Sequence, residues 1–107
     1  MKKFKLDEKT RGWFVGDFDG ATHKTKDFEV AIKKYKAGDF EAKHLHKVAT
    51  ELTLIVSGKV LMNGVEYGEN DIIVMEPGEA TDFKALTDAI NFVVKIPSVM
   101  GDKYVVD

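Results

Sequence analysis

The chain contains no cysteine, which excludes a disulfide framework and any thiolate metal site and agrees with a reducing compartment. Proline occurs only twice, and no apolar run approaches the roughly 20 residues of a membrane-spanning helix. There is no excess of charge of one sign either: sixteen basic residues face eighteen acidic ones, for a net charge of -2. Lys24, Lys26, Lys33, Lys34, Lys36, Lys43 and Lys47 gather in one stretch, but Asp27, Glu29, Asp39 and Glu41 are mixed among them. That reads as a solvated face, so nucleic acid is not an expected partner. Repeats, low-complexity tracts and Pro/Gly/Ser-rich linkers are missing, so the 107 residues form one domain's worth of material. The segment from Met1 to Lys9 is too charged for the apolar core of a secretory signal, and the expected location is the cytoplasm.

What is present is a series of short β-patterned runs separated by turn signals. Phe28, Val30 and Ile32 alternate with Glu29, Ala31 and Lys33, the period of a half-buried strand. Gly38-Asp39 closes a turn, a second run follows from Phe40 to Lys47, and a third from Glu51 to Val56. Ser57-Gly58 turns the chain into Lys59 to Met62, and Asn63-Gly64 is a strong hairpin signal because both residues tolerate the positive φ of a type I′ turn. Val65 to Tyr67, Asp71 to Met75, Thr81 to Leu86 and Ala89 to Ile96 complete the series, the last ended by Pro97. No helix longer than a turn or two is expected. Many short strands with Gly and Pro corners predict an all-β antiparallel sandwich or barrel.

Residues 28–107 are assigned to this body, and residues 1–27 to an arm or edge strands packed on it. The segment Arg11 to Phe18 holds the only tryptophan, Trp13, with two phenylalanines. It reads as a cover for a sheet edge, with Arg11 or Trp13 as the alternative wall of a pocket. Phe40, Phe83, Phe92 and Tyr35 read as core or lining residues, and Tyr35 as a possible source of a hydroxyl for a ligand. Along the Glu51 run, Leu52, Leu54 and Val56 share one face while Glu51 and Ile55 share the other, so both faces are substantially apolar. One is expected to meet a second sheet or a second subunit, and a homodimer is the favoured assembly.

The chemistry concentrates between Gly38 and Gly58. His44 and His46 are two apart, so on a strand their imidazoles share a face about 6.6 Å apart along the chain, with Leu45 turned away. A carboxylate from the next strand, Glu51, can join them. Two histidines and one carboxylate with open positions form the facial arrangement associated with non-haem Fe(II) and tolerated by Mn(II) or Zn(II). A metal-free polar pocket is the alternative. Lys43 or Lys47 beside the histidines is a candidate contact for an anionic small molecule. His23, among Ala, Thr and Lys, reads as an exposed histidine with no task.

As a spacing, the segment is Gly38, five residues, His44, one residue, His46, four residues, Glu51, six residues, Gly58. This resembles the first motif of the cupin superfamily, G-x5-H-x-H-x3,4-E-x6-G, with every specified position filled. The second cupin motif, G-x5-P-x-G-x2-H-x3-N, is matched in part from Gly68 to Phe83, through the Pro77-Gly78 corner. Thr81 stands where that family's fourth ligand is usually a histidine, with Asp82 beside it. The resemblance covers about residues 28 to 96 and implies a double-stranded β-helix, or jelly-roll, barrel of antiparallel strands. It implies His44, His46 and Glu51 as ligands of a divalent metal ion such as Fe, Mn, Zn or Ni.

The functional expectation is a metal-dependent enzyme, of isomerase, epimerase or dioxygenase type, acting on a small polar substrate such as a sugar, nucleotide sugar or organic acid. Tyr35 and Asp82 are the candidate catalytic groups, and Thr81, Tyr35 and Phe83 the candidate substrate contacts. A non-catalytic binding or sensing module is the alternative, since one barrel hosts many chemistries.

Overall fold

The computed structural model describes all 107 residues, Met1–Asp107. Two 3-10 turns, Leu6–Glu8 and Thr10–Gly12, lead into eleven strands. These are β1 (Trp13–Gly16), β2 (His23–Lys24), β3 (Glu29–Tyr35), β4 (Phe40–Leu45), β5 (Thr50–Ser57) and β6 (Lys59–Met62), followed by β7 (Val65–Gly68), β8 (Ile72–Met75), β9 (Ala80–Ala85), β10 (Ala89–Ile96) and β11 (Tyr104–Val105). One sheet runs β2-β1-β3-β10-β5-β8 and the other β11-β4-β9-β6-β7. All pairings are antiparallel except β1 with β2. This is the expected double-sheet jelly roll. No helix is long and apolar enough to cross a membrane.

The turns form for the reasons their residues supply. Asn63 and Gly64 take φ of 50° and 75° and join β6 to β7 with Met62 opposite Val65. At the corner between β5 and β6, Gly58 has φ 89°, and a Cβ there would lie 2.2 Å from the Asp88 carbonyl oxygen. Only glycine suits that position.

Alternation then decides which face each strand buries. In β10, Ala89, Asn91 and Val93 are buried, while Ile90, Phe92 and Val94 point the other way. In β5, Thr53 and Ile55 are buried. Ile55, Val60, Met62, Phe83, Ala85 and Ala89 form the apolar core between the sheets, with Tyr35, Tyr67, Ile73 and Met75 packed against it. Along the inward face of β5 the residues pass from Ile55 through Thr53 to Glu51, and along β10 from Ala89 to Lys95. Lys95 lies opposite Glu51 in register. The barrel is therefore apolar at one end and polar at the other, and the polar end holds the site.

Two expectations are corrected by this geometry. Phe40 begins β4 with 65% of its surface exposed and is not a core residue. Phe92 faces outward, opposite Ile32 on β3 and Leu54 on β5. It belongs to an outer apolar face with Leu52 and Val94, which ends at exposed Val56, Ile72 and Val74. Leu52, Leu54, Phe92 and Val94 on it are half-buried. The N-terminal strand β1 pairs with β3 and extends the sheet at its edge.

Candidate metal and ligand site

His44 and His46 come from the end of β4 and the turn after it, and Glu51 from the start of β5. All three line one small cavity of about 100 Å³ between the sheets. As the side chains stand, the three are not drawn together into one tight cluster. Glu51 leans toward His46, whose Nε2 lies 3.3 Å from Oε1. His44 stands edge-on to His46, ring centroids 5.4 Å apart and planes at 77°.

The second nitrogen of each ring fixes its protonation. His46 Nδ1 meets the backbone carbonyl of Asp102, and His44 Nδ1 meets that of Ala42 at 3.0 Å. A carbonyl only accepts, so Nδ1 carries the proton in both rings and each Nε2 keeps a lone pair for another partner. For neutral His46 that lone pair faces a carboxylate oxygen, two acceptors at ion-pair distance, and Nε2 is buried without a directed hydrogen bond. A proton or a cation between them resolves the conflict. Without a metal the proton does so: the Glu51 contact raises the His46 pKa against the pull of burial. Burial pushes the Glu51 carboxyl up, but His46 and the nearby positive charges of Lys95 and His44 outweigh it and hold the carboxyl below its ordinary value. His44, lacking such a partner, is lowered by burial. Two Nδ1-anchored imidazoles and a carboxylate are a donor set that fits a divalent ion.

Asp102 is the anchoring residue that no motif in the sequence marks. Its carboxylate accepts from the backbone N–H of Lys47 at 2.8 Å, of Ala49 at 2.9 Å and of Val48 at 3.2 and 3.3 Å. Burial pushes its pKa up, yet those three N–H groups hold the carboxyl below its ordinary value. The C-terminal segment thus straps down the turn after β4, and β11 continues the strap by pairing with Leu45 and His44. No spacing in the sequence marks a contact across 56 residues.

The remaining candidates divide. Thr81 is buried on the inner face of β9 directly opposite His44, and its hydroxyl donates to the Asp82 carbonyl at 2.7 Å. Phe83 lies inward against Tyr35, centroids 4.4 Å apart. Tyr35 donates its hydroxyl to Glu41 Oε2 at 3.3 Å, and burial next to that carboxylate raises its pKa far above a free phenol's. Asp82 is not at the site: its carboxylate accepts the Asn63 N–H at 2.8 Å in the β6-β7 turn, because it alternates with Thr81 and Phe83. His23 is exposed, as expected, although it lies in β2. Lys43 is exposed, and the Lys47 ammonium sits 4.1 Å over the Tyr104 ring. Trp13 and Arg11 line the cavity, joined by Lys33, Glu41, Asn91, Lys95 and Lys103, none of them expected there.

No family model matches the chain, and no curated protein does. Solved structures do. A protein with a double-stranded β-helix domain from Klebsiella pneumoniae subsp. pneumoniae superposes with a TM-score of 0.72 at 20% identity, over 97% of this chain and 90% of that one. An RmlC-like cupin from Shewanella frigidimarina gives a TM-score of 0.65 at 16% identity, over 71% of each chain. Oxalate decarboxylase of Bacillus subtilis, studied for its Mn(II) centres, gives 0.64 at 17% identity over 77% of this chain and 25% of its own length. This chain is a small protein of the cupin fold.

Proposed function

We propose that this chain is a metal-dependent cupin enzyme acting on a small polar molecule, with His44, His46 and Glu51 as its ligands to a divalent ion of the Fe, Mn, Zn or Ni group. One observation carries the reading: both histidines spend Nδ1 on backbone carbonyls, leaving two Nε2 lone pairs and a buried carboxylate in one cavity. When bound, the ion supplies Lewis acidity toward a carbonyl or hydroxyl.

The chain's own groups set the rest. Glu41 is the carboxylate of the cavity outside the ligand set, paired with Lys33 at 3.9 Å and receiving the Tyr35 hydroxyl. Isomerase or epimerase chemistry needs a proton taken and returned, and Glu41 is placed to do both while Tyr35, held neutral, donates a hydrogen bond. Dioxygenase chemistry would make the identity of the ion decisive instead. Thr81 and Phe83 form the wall opposite. A second reading, a binding or sensing module without turnover, is favoured by the outward turn of Asp82, which leaves Glu41, itself paired with Lys33, as the one cavity carboxylate outside the ligand set.

The outer face carrying Leu52, Leu54, Phe92 and Val94 supports a homodimer, since apolar sheet surface of that extent is seldom left in water.

Metal analysis of tag-free protein, repeated on a His44→Ala, His46→Ala double variant, tests the reading. Stoichiometric metal lost in the variant is the expected result. Equal trace metal in both proteins overturns it.

A further inference from the structure

The cavity reverses the sign of the protein around it. Against a net charge of -2 for the whole chain, its lining holds four basic side chains, Arg11, Lys33, Lys95 and Lys103, and two acidic ones, Glu41 and Glu51. Glu29, behind Lys95 at 3.7 Å, raises the acidic count to three. Glu51 is engaged by His46. Arg11 and Lys103 have no acidic partner within ion-pair distance, since the chain's ion pairs involve Lys24, Lys33, His46 and Lys95.

These charges arrive from four separate parts of the chain. The Lys33 and Lys95 ammonium groups lie 5.4 and 4.7 Å from the centroid of the single Trp13 ring, and both side chains are largely removed from water. Each has one carboxylate near the limit of ion-pair distance, Glu41 at 3.9 Å and Glu29 at 3.7 Å, and an anion entering between the two ammonium groups would add a contact shared by both. At the rim the backbone is forced to present Arg11: its φ is 53°, and a Cβ on the following Gly12 would lie 1.8 Å from the Ile32 carbonyl oxygen. A non-glycine residue held in the left-handed region at a cavity mouth is strain of the type found at ligand sites.

A second, independent feature points the same way. Asn91 is 2% exposed, lines the cavity, and has a buried side-chain oxygen with no partner. It stands opposite Lys33 in the β3-β10 ladder. An orphaned buried acceptor asks for a donor, and the lysines beside it ask for an anion. The inner cavity of about 100 Å³ admits only a head group, while a cleft of about 610 Å³ sharing Arg11, Lys33, Tyr35, Glu41 and Lys103 lies outside it.

We propose that the ligand of this cavity is a small hydroxycarboxylate whose carboxylate is received by Lys33 and Lys95 and whose hydroxyl donates to Asn91, with Arg11 and Lys103 drawing the anion in. This rests on the cavity being the ligand site named above, and it narrows sugar, nucleotide sugar or organic acid to the acid.

Calorimetry with matched probes tests it, on chelator-treated protein and again with Mn(II) added. Gluconate against glucitol isolates the carboxylate, and malate against succinate isolates the hydroxyl. The expected result is that gluconate and malate bind at least about tenfold more tightly than their counterparts, and that Lys33→Met or Lys95→Met removes about tenfold of that affinity. Should the lysine variants fail to fold, Arg11→Ala and Lys103→Ala, which alter exposed residues, decide through a shallower dependence of affinity on salt. Glucitol binding as tightly as gluconate overturns the carboxylate assignment, succinate equalling malate overturns the role of Asn91, and no binding of either acid at millimolar concentration overturns both. None of these outcomes touches the metal analysis, so the two readings fail separately.

Discussion

His44 and His46 are the same residue type, two positions apart on one face, and the fold treats them in opposite ways. His46 is 6% exposed, anchored through Nδ1 to a residue 56 positions away, and aimed at Glu51. His44 is half-buried, anchored to Ala42 on its own strand, and has no charged partner at ion-pair distance. Contact with Glu51 raises the first and burial lowers the second. A ligand pair read from spacing as symmetric is thus one fixed donor, built into the tertiary structure, and one local donor free to adjust. The fixed one carries structure as well as chemistry.

The largest effect that can break this contrast is at Asp102. Replacing it with Ala leaves the Lys47, Val48 and Ala49 N–H groups without their acceptor and frees the strap that holds His46. We expect a loss of about 4 kcal/mol in urea unfolding, with Asp102→Asn recovering part of it, since each unpaired buried group costs about 1–3 kcal/mol. Nitrogen-15 spectra of the variant are expected to show His46 losing its preference for protonated Nδ1 while His44 keeps its own. If both rings respond equally, the strap is not specific to His46.

Next come the histidines themselves. In metal-free protein, His46→Ala strands the Glu51 carboxylate in a buried site, and about 3 kcal/mol is expected to be lost. His44→Ala removes a half-buried ring with one local hydrogen bond, and less than about 1 kcal/mol is expected. Equal costs in denaturant titrations would erase the distinction. Both changes are expected to abolish stoichiometric metal, so stability separates the two residues where metal content does not.

The strands of the barrel were legible because alternation and turn chemistry act locally. Lys59 to Met62 and Ala89 to Ile96 fall where periodicity puts them, and Asn63-Gly64 forms its hairpin because two positive-φ residues leave few other options. The alternation of β9 was legible too, with Thr81 and Phe83 facing in and Asp82 facing out, but in β3 it is Ala31, not its apolar neighbours Val30 and Ile32, that is buried. Phe40 and Phe92 defeated a reading by residue type, because hydrophobicity does not say which side of a sheet a ring takes. Asp102 and the lysines of the cavity were invisible for a different reason. Their roles depend on contacts across sheets and across most of the chain, and a snorkelling lysine on an inner face has the sequence signature of one on an outer face.

The smallest effect, and the one that most sharpens the contrast, is in pH. His46 has a pKa raised above its unfolded value, so its contribution to stability is complete below about 6.5 and is lost as pH rises through the raised value. Glu51 has a lowered pKa, so its contribution is present above the ordinary carboxylate range, about 4.5, and is lost as pH falls through the lowered value. His44 runs opposite to His46: its lowered pKa favours the neutral ring in the fold, so its contribution is complete above about 6.5 and fades as pH falls through the lowered value. Metal-free wild type is therefore expected to be most stable in mildly acidic solution. His46→Ala is expected to lose the decline on the alkaline side, and His44→Ala to soften the decline on the acid side. Urea midpoints between pH 4 and pH 9 measure both slopes. If the alkaline decline survives in His46→Ala, the His46–Glu51 pair is not its origin.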